Sequence, residues 1–229
     1  PSPRDKGWTM SDRVAAAIGY SVRVTPLQVA TFYNAIANNG KMMKPYVVES
    51  LEKNGRVTKQ FKPSILNGSI CSKATADTLT RALTMVTLEG TASRLKNARC
   101  TVAGKTGTSR MYLSREERNG SRDPYADIDG RKKHQATFVG FFPAEQPKYT
   151  AIVVVYTGLI KHDVYGGKIP AITFKEIVDG IWAYDSGWGN EFKTKGSIPQ
   201  MKEEPISISK DADAPVPDVK GLGLKDALF

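Results

Sequence analysis

The chain contains few of the residues from which metal and disulfide sites are built. Its 229 residues include two cysteines and two histidines. His134 and His162 are too few and too isolated to indicate a metal site, so we expect neither a metal nor a cofactor. Cys71 and Cys100 are compatible with one disulfide in an oxidising compartment or with two buried thiols, and their number does not decide between the two.

Long apolar runs and targeting signals are also absent from the sequence. No run approaches the roughly 18 apolar residues expected of a membrane span. No secretory signal is visible, and the opening Pro1-Ser2-Pro3-Arg4 has the character of mid-chain sequence, so the missing signals say little about location. Hydrophobic residues at 40% and charged residues at 24% are typical of a soluble globular protein that buries a core.

Acidic residues are outnumbered by basic ones, 23 to 33, which gives a formal net charge of +10. An excess of basic over acidic residues can indicate a polyanionic partner such as nucleic acid or an anionic surface. Aromatic residues do not interleave the basic runs as they do in proteins that bind single strands. We therefore expect the basic residues to be spread over a solvated surface, with no nucleic acid partner.

Helix signals occur in three places. Thr25 as N-cap, Pro26 at N1 and Gln28 at N3 predict a helix that ends at Asn38-Asn39-Gly40. Two further helices are predicted over about 74–89 and from Pro170 to about 184. Their apolar stripes are Leu79, Ala82, Leu83 and Val86 in the first, and Phe174, Ile177, Val178 and Ile181 in the second.

Strand signals complete the pattern of an α+β fold. Residues 45–62 predict a hairpin that turns at Asn54-Gly55. Residues 135–142 and 148–156 predict an antiparallel pair joined by 143–147. Because Val153-Val154-Val155 is a continuous apolar run, we expect the second of these strands to be central and covered on both faces. The helices and an antiparallel sheet together predict an α+β arrangement.

The segment 109–134 has almost no apolar periodicity and contains seven basic and five acidic residues. It is long for a connection inside a compact domain, so we expect a functional loop or a mobile insertion that is poorly ordered or projects from the body. Its acidic residues alternate with arginines, which favours a solvated loop over a pair of catalytic carboxylates. These residues are Glu116, Glu117, Asp123, Asp127 and Asp129.

The stretch Val102-Ala103-Gly104-Lys105-Thr106-Gly107-Thr108 is the strongest candidate for a functional site. A lysine ammonium attracts a substrate carboxylate, and threonine hydroxyls can hydrogen-bond to it. A glycine without a Cβ allows a substrate backbone to lie against the strand. We expect Lys105 to Thr108 on an edge strand next to 135–142. Met111 and Tyr112 either line the same groove or merely continue the strand.

Four motifs in order resemble the C-terminal half of class B penicillin-binding proteins, the D,D-transpeptidases that cross-link peptidoglycan. They are Gly19-Tyr20-Ser21-Val22-Arg23-Val24-Thr25-Pro26-Leu27-Gln28, Glu89-Gly90-Thr91-Ala92, Val102 to Thr108, and Phe138-Val139-Gly140-Phe141. The resemblance covers about residues 14–184. It implies a partial transpeptidase fold of the penicillin-binding-protein and serine β-lactamase type.

The resemblance also implies a domain organisation. Residues 1–190 are expected to form the C-terminal half of the transpeptidase domain, and residues 191–215 a linker rich in lysine, serine and proline. Residues 216–229 resemble the start of a PASTA domain. A location outside the cytoplasm, with an anchoring helix upstream of this chain, is implied as well.

In the family, a serine on Ser-x-x-Lys attacks the D-Ala-D-Ala carbonyl, and a neighbouring amine then resolves the acyl-enzyme. Carried over by position, Lys105 supplies positive potential, and the hydroxyls of Thr106 and Thr108 hold the substrate carboxylate. The backbone N–H of Thr108 contributes to the oxyanion hole, and Gly107 permits close approach. The implied partners are stem peptides, β-lactams, the upstream part of the same protein and other wall or division proteins.

The nucleophile motif lacks a convincing counterpart in this chain. Ser-x-Asn does not occur, and Ser-x-x-Lys occurs three times in unsuitable settings, as Ser50–Lys53, Ser93–Lys96 and Ser207–Lys210. We therefore expect a fragment without its nucleophile, inactive alone. Two alternatives remain open: a serine β-lactamase, which shares the Lys-Thr-Gly strand, and a non-catalytic β-lactam sensor or binding module.

Overall fold

The computed structural model describes residues 7–17, 19, 22–162 and 164–184. The predicted linker 191–215 and the predicted module start 216–229 lie outside the described residues. In chain order the elements are α1 (Met10–Ala17), α2 (Pro26–Ala37), β1 (Met42–Met43), β2 (Ser50–Lys53), β3 (Arg56–Gln60), β4 (Ile65–Asn67), α3 (Lys73–Leu88), β5 (Ala103–Arg110), α4 (Arg115–Arg118), β6 (His134–Phe142), β7 (Tyr149–Tyr156) and α5 (Ile169–Tyr184), with a 3-10 helix at Ser93–Asn97.

Helix α2 begins and ends where its capping residues predict. The backbone N–H of Gln28 donates to the Thr25 hydroxyl at 3.3 Å, and the Gln28 side chain accepts from the Thr25 N–H at 2.8 Å. These reciprocal bonds satisfy donors at the helix start that have no partner within the helix. At the other end Gly40 has φ +87°, and a Cβ there would lie 2.3 Å from the Cys71 carbonyl oxygen. Only glycine fits this position.

The predicted hairpin is confirmed as β2 and β3, which pair antiparallel with Lys53 opposite Arg56. Asn54 and Gly55 have φ of 51° and 73°. Positive φ at both central residues is what a tight hairpin turn of this handedness requires. The first strand of the hairpin, β2, begins at Ser50 rather than at residue 45.

The main sheet is antiparallel with the order β5-β6-β7. In the β5–β6 pair the register runs from Ala103 opposite Phe141 to Arg110 opposite His134. The predicted order of the three strands is confirmed, but the expectation that the strand at 148–156 is central is wrong. Among the described residues β6 is central and β7 lies at an edge. The apolar run of β7 has another cause: α2 and α5 both contact it, and helices on both faces favour apolar residues wherever the strand lies.

Two apolar clusters cover opposite faces of the sheet. Phe141 packs with Ile36 of α2 on one face, while its neighbour Phe142 packs with Phe174 of α5 on the other. Successive strand residues point to opposite faces, so β6 serves both clusters. The ring centroids of Phe142 and Phe174 lie 5.6 Å apart at an interplanar angle of 82°. The predicted stripe of α5 is confirmed at Phe174, whereas Ile177 is 37% exposed and lies outside it.

The segment 109–134 is joined to the rest of the fold at Lys132, whose backbone N–H donates to the Ile160 carbonyl oxygen at 2.8 Å, contrary to the expectation of a poorly ordered segment. Leu113 and Ala126 are buried. Helix α4 has a full capping box at its start. Glu117 at N3 of that box also binds the Lys133 ammonium, which ties α4 to the end of the segment.

Asp127 is buried rather than solvated, which corrects the prediction for this residue. Its carboxylate accepts the backbone N–H groups of Asp129 at 3.0 Å and Arg131 at 2.7 Å. It also accepts the Arg131 Nε–H at 2.6 Å. A buried carboxylate is tolerated when donors and an opposite charge surround it. The alternating charges therefore indicate a turn built around one carboxylate.

We expect the Asp127 carboxyl to titrate below the ordinary aspartate range. Burial by itself would raise its pKa, but the hydrogen bonds and charge of Arg131 hold the pKa below its usual value. A lowered folded-state pKa means that the turn gains stability above the ordinary aspartate pKa of about 3.9 and loses it as the pH falls through the folded value. The backbone amide resonances of Asp129 and Arg131, followed by NMR from pH 6 downward, report the midpoint.

The variant Asp127→Asn is the control for this titration. It removes the ionisable group, so the acid-dependent shift of both amide resonances is expected to disappear. A midpoint at or above about 3.9 in the unsubstituted chain would contradict the assignment.

Candidate active site

The four predicted site residues lie at the edge of the main sheet. Within the described part of the chain, β5 pairs only with β6, so its other edge is open. Lys105, Gly107 and Thr108 are exposed, and Thr106 is half-buried. The predicted edge position of the motif is confirmed. An open edge presents unpaired backbone groups to which an extended peptide can bind as an additional strand.

Two glycines bring β5 close to its neighbour. A Cβ on Gly104 would lie 2.5 Å from the Phe138 ring, and one on Gly140 would lie 2.5 Å from the Ala103 carbonyl oxygen. Gly107 differs, because the nearest atom to its Cβ position is Thr137 Cβ at 3.7 Å, an ordinary contact. Packing therefore requires glycine at 104 and 140 but does not require it at 107.

The Lys105 ammonium is held along the strand. Its Nζ donates to the Thr106 carbonyl oxygen at 3.1 Å and approaches the Thr106 hydroxyl at 3.5 Å. Among the described residues no carboxylate forms an ion pair with it. An exposed ammonium without an acidic partner keeps its positive potential for an incoming anion.

Thr106 is linked to a turn distant in sequence. Its hydroxyl lies 2.9 Å from the hydroxyl of Thr91, which follows α3. A Cβ on Gly167 would lie 2.0 Å from the Thr91 carbonyl oxygen, so the chain just before α5 packs closely on the same turn. Thr91 and Gly167 together fix the surroundings of the Thr106 side chain.

Thr108 is positioned by the same segment. The backbone N–H of Gly166 donates to the Thr108 hydroxyl oxygen at 3.0 Å. A Cβ on Gly166 would lie 2.3 Å from the Thr137 carbonyl oxygen and 2.6 Å from that of Gly107. A threonine hydroxyl can accept one bond and still donate its own hydrogen. The bond from Gly166 thus leaves the O–H of Thr108 available to an acceptor at the open edge.

Sequence reasoning missed Thr91, Gly166 and Gly167 as site residues. Thr91 belongs to the Glu89-Gly90-Thr91-Ala92 motif of the resemblance, to which no role at the site was assigned, and Gly166 and Gly167 are visible only as a pair of glycines before α5. Nothing in the local pattern predicts that these two turns meet β5. The contacts arise because α3 and α5 deliver their neighbouring turns to one end of the sheet.

The candidate nucleophiles Ser50 and Ser93 do not contact the Lys105 ammonium. Ser50 starts β2 in the hairpin, and Ser93 starts the exposed 3-10 helix. The Nζ of Lys105 donates to Thr106 and to neither serine. Ser207 lies outside the described residues.

Met111 and Tyr112 follow the end of β5 at Arg110, so they do not continue the strand. Tyr112 is 70% exposed, and its ring centroid lies 4.5 Å from that of Tyr125. This pair forms a surface just beyond the predicted site.

The remaining candidates from the sequence are the two cysteines, a metal site and a membrane span. Cys71 and Cys100 are both free thiols, and burial, with Glu145 and Asp179 nearby, raises the pKa of Cys100 to about 12. Within residues 7–17, 19, 22–162 and 164–184 no group of three His, Cys, Asp or Glu side chains is placed to hold a metal ion. In the same ranges no helix has the length and apolar character needed to cross a membrane.

Replacing Gly166 by alanine is expected to destabilise the protein by about 1–3 kcal/mol, because the added methyl overlaps backbone oxygens that cannot move independently. The matched control is Gly107→Ala, which adds the same group where there is room. Its effect on the free energy of unfolding is expected to stay within about 1 kcal/mol. Urea unfolding of both variants measures the difference. Equal destabilisation would show that the close packing around Gly166 is not as described.

Comparison with known proteins supports a relationship over most of the chain. The family model described as the penicillin binding protein transpeptidase domain matches residues 2–179. The probable peptidoglycan D,D-transpeptidase PenA of Neisseria gonorrhoeae is 30% identical over 176 residues, which cover 76% of this chain and 26% of PenA. Penicillin-binding protein H of Bacillus subtilis is 32% identical over 145 residues, covering 61% of this chain and 19% of that protein. The chain thus spans about a fifth to a quarter of these relatives.

Solved structures extend the comparison to the fold. Penicillin-binding protein 2B of Streptococcus pneumoniae strain R6 superposes with a TM-score of 0.61 at 21% identity, over 79% of this chain and 28% of that one. This likeness shows the α+β transpeptidase fold. Penicillin-binding protein A of M. tuberculosis, solved as a ceftriaxone acyl-enzyme complex, is 25% identical with a TM-score of 0.53, over 74% of this chain and 34% of that one.

Proposed function

The chain belongs to the penicillin-binding protein transpeptidase family, and on that premise we propose that it supplies the substrate-binding strand of a peptidoglycan D,D-transpeptidase. The observation that carries the proposal is the open edge of β5, where Lys105 to Thr108 are exposed and the Thr108 hydroxyl is held by Gly166. The residue roles follow the resemblance of the Lys-Thr-Gly-Thr stretch to the family's motif. The whole protein is an acyltransferase that acts on stem peptides and is acylated by β-lactams.

Recognition begins with the terminal carboxylate of the donor peptide. The Lys105 ammonium attracts the anion, and the hydroxyls of Thr106 and Thr108 donate hydrogen bonds to it. Charge-assisted hydrogen bonds are shorter and stronger than neutral ones. Gly107, which packing does not require, leaves room for the peptide to approach the strand.

Acylation proceeds through a serine of the family's Ser-x-x-Lys motif, supplied by a part of the protein outside this chain. The serine oxygen forms a bond to the penultimate D-alanine carbonyl carbon. The peptide bond to the terminal D-alanine breaks, and that residue leaves as the amine with the serine proton. The backbone N–H of Thr108 stabilises the oxyanion. An amine of a neighbouring stem peptide then attacks the ester, forming the cross-link and restoring the serine.

The domain organisation, location and partners of the protein are also carried over from the family. Residues 1–190 form the C-terminal half of the transpeptidase domain, with a linker at 191–215 and the opening of a PASTA-like module at 216–229. The protein acts outside the cytoplasmic membrane, anchored by a helix upstream of this chain. Its partners are stem peptides, the upstream part of the same protein and other wall or division proteins.

Labelling with a fluorescent penicillin tests the proposal directly. The full-length protein is expected to form a one-to-one adduct on the serine of its Ser-x-x-Lys motif. This chain alone is expected to form none, because its three Ser-x-x-Lys matches lack the required setting. A stoichiometric adduct on Ser50, Ser93 or Ser207 would overturn the proposal. Rapid hydrolysis of the adduct in the full-length protein would favour a β-lactamase.

In the full-length protein, Thr108→Val is expected to slow acylation by about ten- to a hundredfold. The lost hydroxyl removes a charge-assisted hydrogen bond worth roughly 1.5–3 kcal/mol, at 1.4 kcal/mol per decade of rate. Thr108→Ser keeps the hydroxyl and is the matched control, with acylation near the original rate. Acylation kinetics and melting temperature are measured on the same samples. If both fall together, or neither changes, Thr108 has only a structural role.

A further inference from the structure

We propose that the β2–β3 hairpin binds an acidic, extended segment of a partner protein along one cationic face. That face is formed by Lys53, Arg56 and Lys59, with Leu51 beside them. The inference goes beyond the transpeptidase reaction and does not depend on it, because the surface belongs to strands other than β5. Three observations support it: the isolation of the hairpin, the placement of its cations and the direct opposition of two of them.

The hairpin makes little contact with the other helices and strands of the described residues. Strand β2 packs extensively only on β3, and β3 only on β2. Every residue of β3 is exposed, and in β2 only Ser50 is half-buried. The outer edges of both strands are unpaired within the described part of the chain. Because a two-stranded hairpin is marginally stable by itself and an open edge can pair with a further strand, the hairpin is suited to bind an extended peptide.

The cations of the hairpin lie on one face. In the ladder Lys53 lies opposite Arg56, and residues that pair in this way share a face. The pair Leu51 and Lys59 belongs to the same face, because Leu51 is two positions before Lys53 on β2. A register shift leaves Thr58 as an extra residue, so Arg56 and Lys59 share this face although they are three positions apart.

No carboxylate neutralises the cationic face among the residues that the structure describes. Glu52 lies on the opposite face, where it pairs with Val57, and Glu49 precedes the start of β2. Neither forms an ion pair with the three cations, whereas ion pairs do form on other elements. The Lys59 ammonium lies 4.8 Å from the centroid of the Phe61 ring, a contact that leaves its charge in place.

The direct opposition of Lys53 and Arg56 is unfavourable for the hairpin alone. Like charges opposite each other on two strands destabilise the pair, whereas a carboxylate beside them is attracted by both. The guanidinium of Arg56 can also donate two parallel hydrogen bonds to one carboxylate. An acidic ligand therefore offsets a repulsion that the free hairpin retains.

The spacing of the cations fits a peptide strand. The Lys53–Arg56 pair and the Leu51–Lys59 pair are separated by two residues along β2. Alternate side chains of an extended peptide are separated by the same step, about 6.7 Å. Acidic side chains at alternate positions of an added strand therefore reach both pairs, while the backbone of that strand pairs with an open edge. A lipid surface has no such repeat, so alternation distinguishes the two ligands.

The test measures binding of labelled octapeptides to the full-length protein by fluorescence anisotropy. One peptide alternates glutamate and threonine, one alternates glutamine and threonine, and one has four glutamates followed by four threonines. We expect the alternating acidic peptide to bind most tightly, with an affinity that falls as salt is raised. The double variant Lys53→Gln with Arg56→Gln is expected to weaken its binding about three- to thirtyfold, the range for two exposed charge pairs.

The matched control is Arg94→Gln with Lys96→Gln. It removes one arginine and one lysine charge from exposed positions of the 3-10 helix and should leave the affinity unchanged. Melting temperatures are measured on both double variants. Since Lys53→Gln with Arg56→Gln removes a like-charge pair, that variant is expected to be at least as stable as the wild type. A fall in melting temperature together with lost binding would show that these cations are structural and would overturn the proposal.

The remaining outcomes also decide the proposal. Equal affinity for the acidic and the glutamine peptides, or unchanged affinity in the hairpin variant, overturns it. Equal affinity for the alternating and the block peptides overturns the added strand, since charge alone would then account for binding. Binding to phosphatidylglycerol vesicles and to none of the peptides identifies a lipid surface instead. Absence of all binding shows that the face is covered in the full-length protein, which overturns the proposal as well.

Discussion

The hydrogen bond from the Gly166 N–H to the Thr108 hydroxyl is the interaction on which the organisation of the site depends. An edge strand open to a substrate lacks the second neighbour that would hold a central strand in place. Here the chain before α5 replaces that neighbour by packing the Gly166 backbone against the strands, at distances that exclude a Cβ on Gly166, while Gly167 packs as closely on the Thr91 turn. This packing holds one face of β5, and the edge of β5 stays open.

Rigidity at that edge comes from the two cores on either side of the sheet. β6 contributes Phe141 to one cluster and Phe142 to the other, so it is fixed from both faces. β5 then takes its position from β6 through eight consecutive residue pairs. The close contacts at Gly104 and Gly140 bring the two backbones together. A well-packed scaffold beneath an exposed strand is the arrangement in which binding groups keep their geometry without a ligand.

Charge is distributed unevenly around the strand. Arg131 and Lys133 are neutralised by carboxylates that also organise turns, so their charges serve the fold. Lys105 and Arg110 lie on the strand itself, and neither forms an ion pair with the described residues. Because exposed charges act over about a Debye length, these two cations give one edge of the sheet a positive potential.

Local sequence determined the elements whose stability is local. The capping residues around Thr25 set the start of α2, Asn54-Gly55 set the hairpin turn, and the pattern of the last two strands set their antiparallel pairing. The motif at Lys105 to Thr108 could be placed on an edge strand from sequence and family resemblance together. These features depend on interactions within a few residues, which a linear pattern records.

Only the tertiary structure decided what surrounds that strand. Among the described residues it placed β6 rather than β7 at the centre. The sequence could not show this, because covering helices produce the same apolar run as a central position. The tertiary structure also brought Thr91 and Gly166 to the motif from 15 and 58 residues away, and it turned Asp127 inward to satisfy backbone donors. Each of these outcomes results from contacts between segments distant in sequence, whose energies depend on how whole helices pack and leave no periodic signal in the residues themselves.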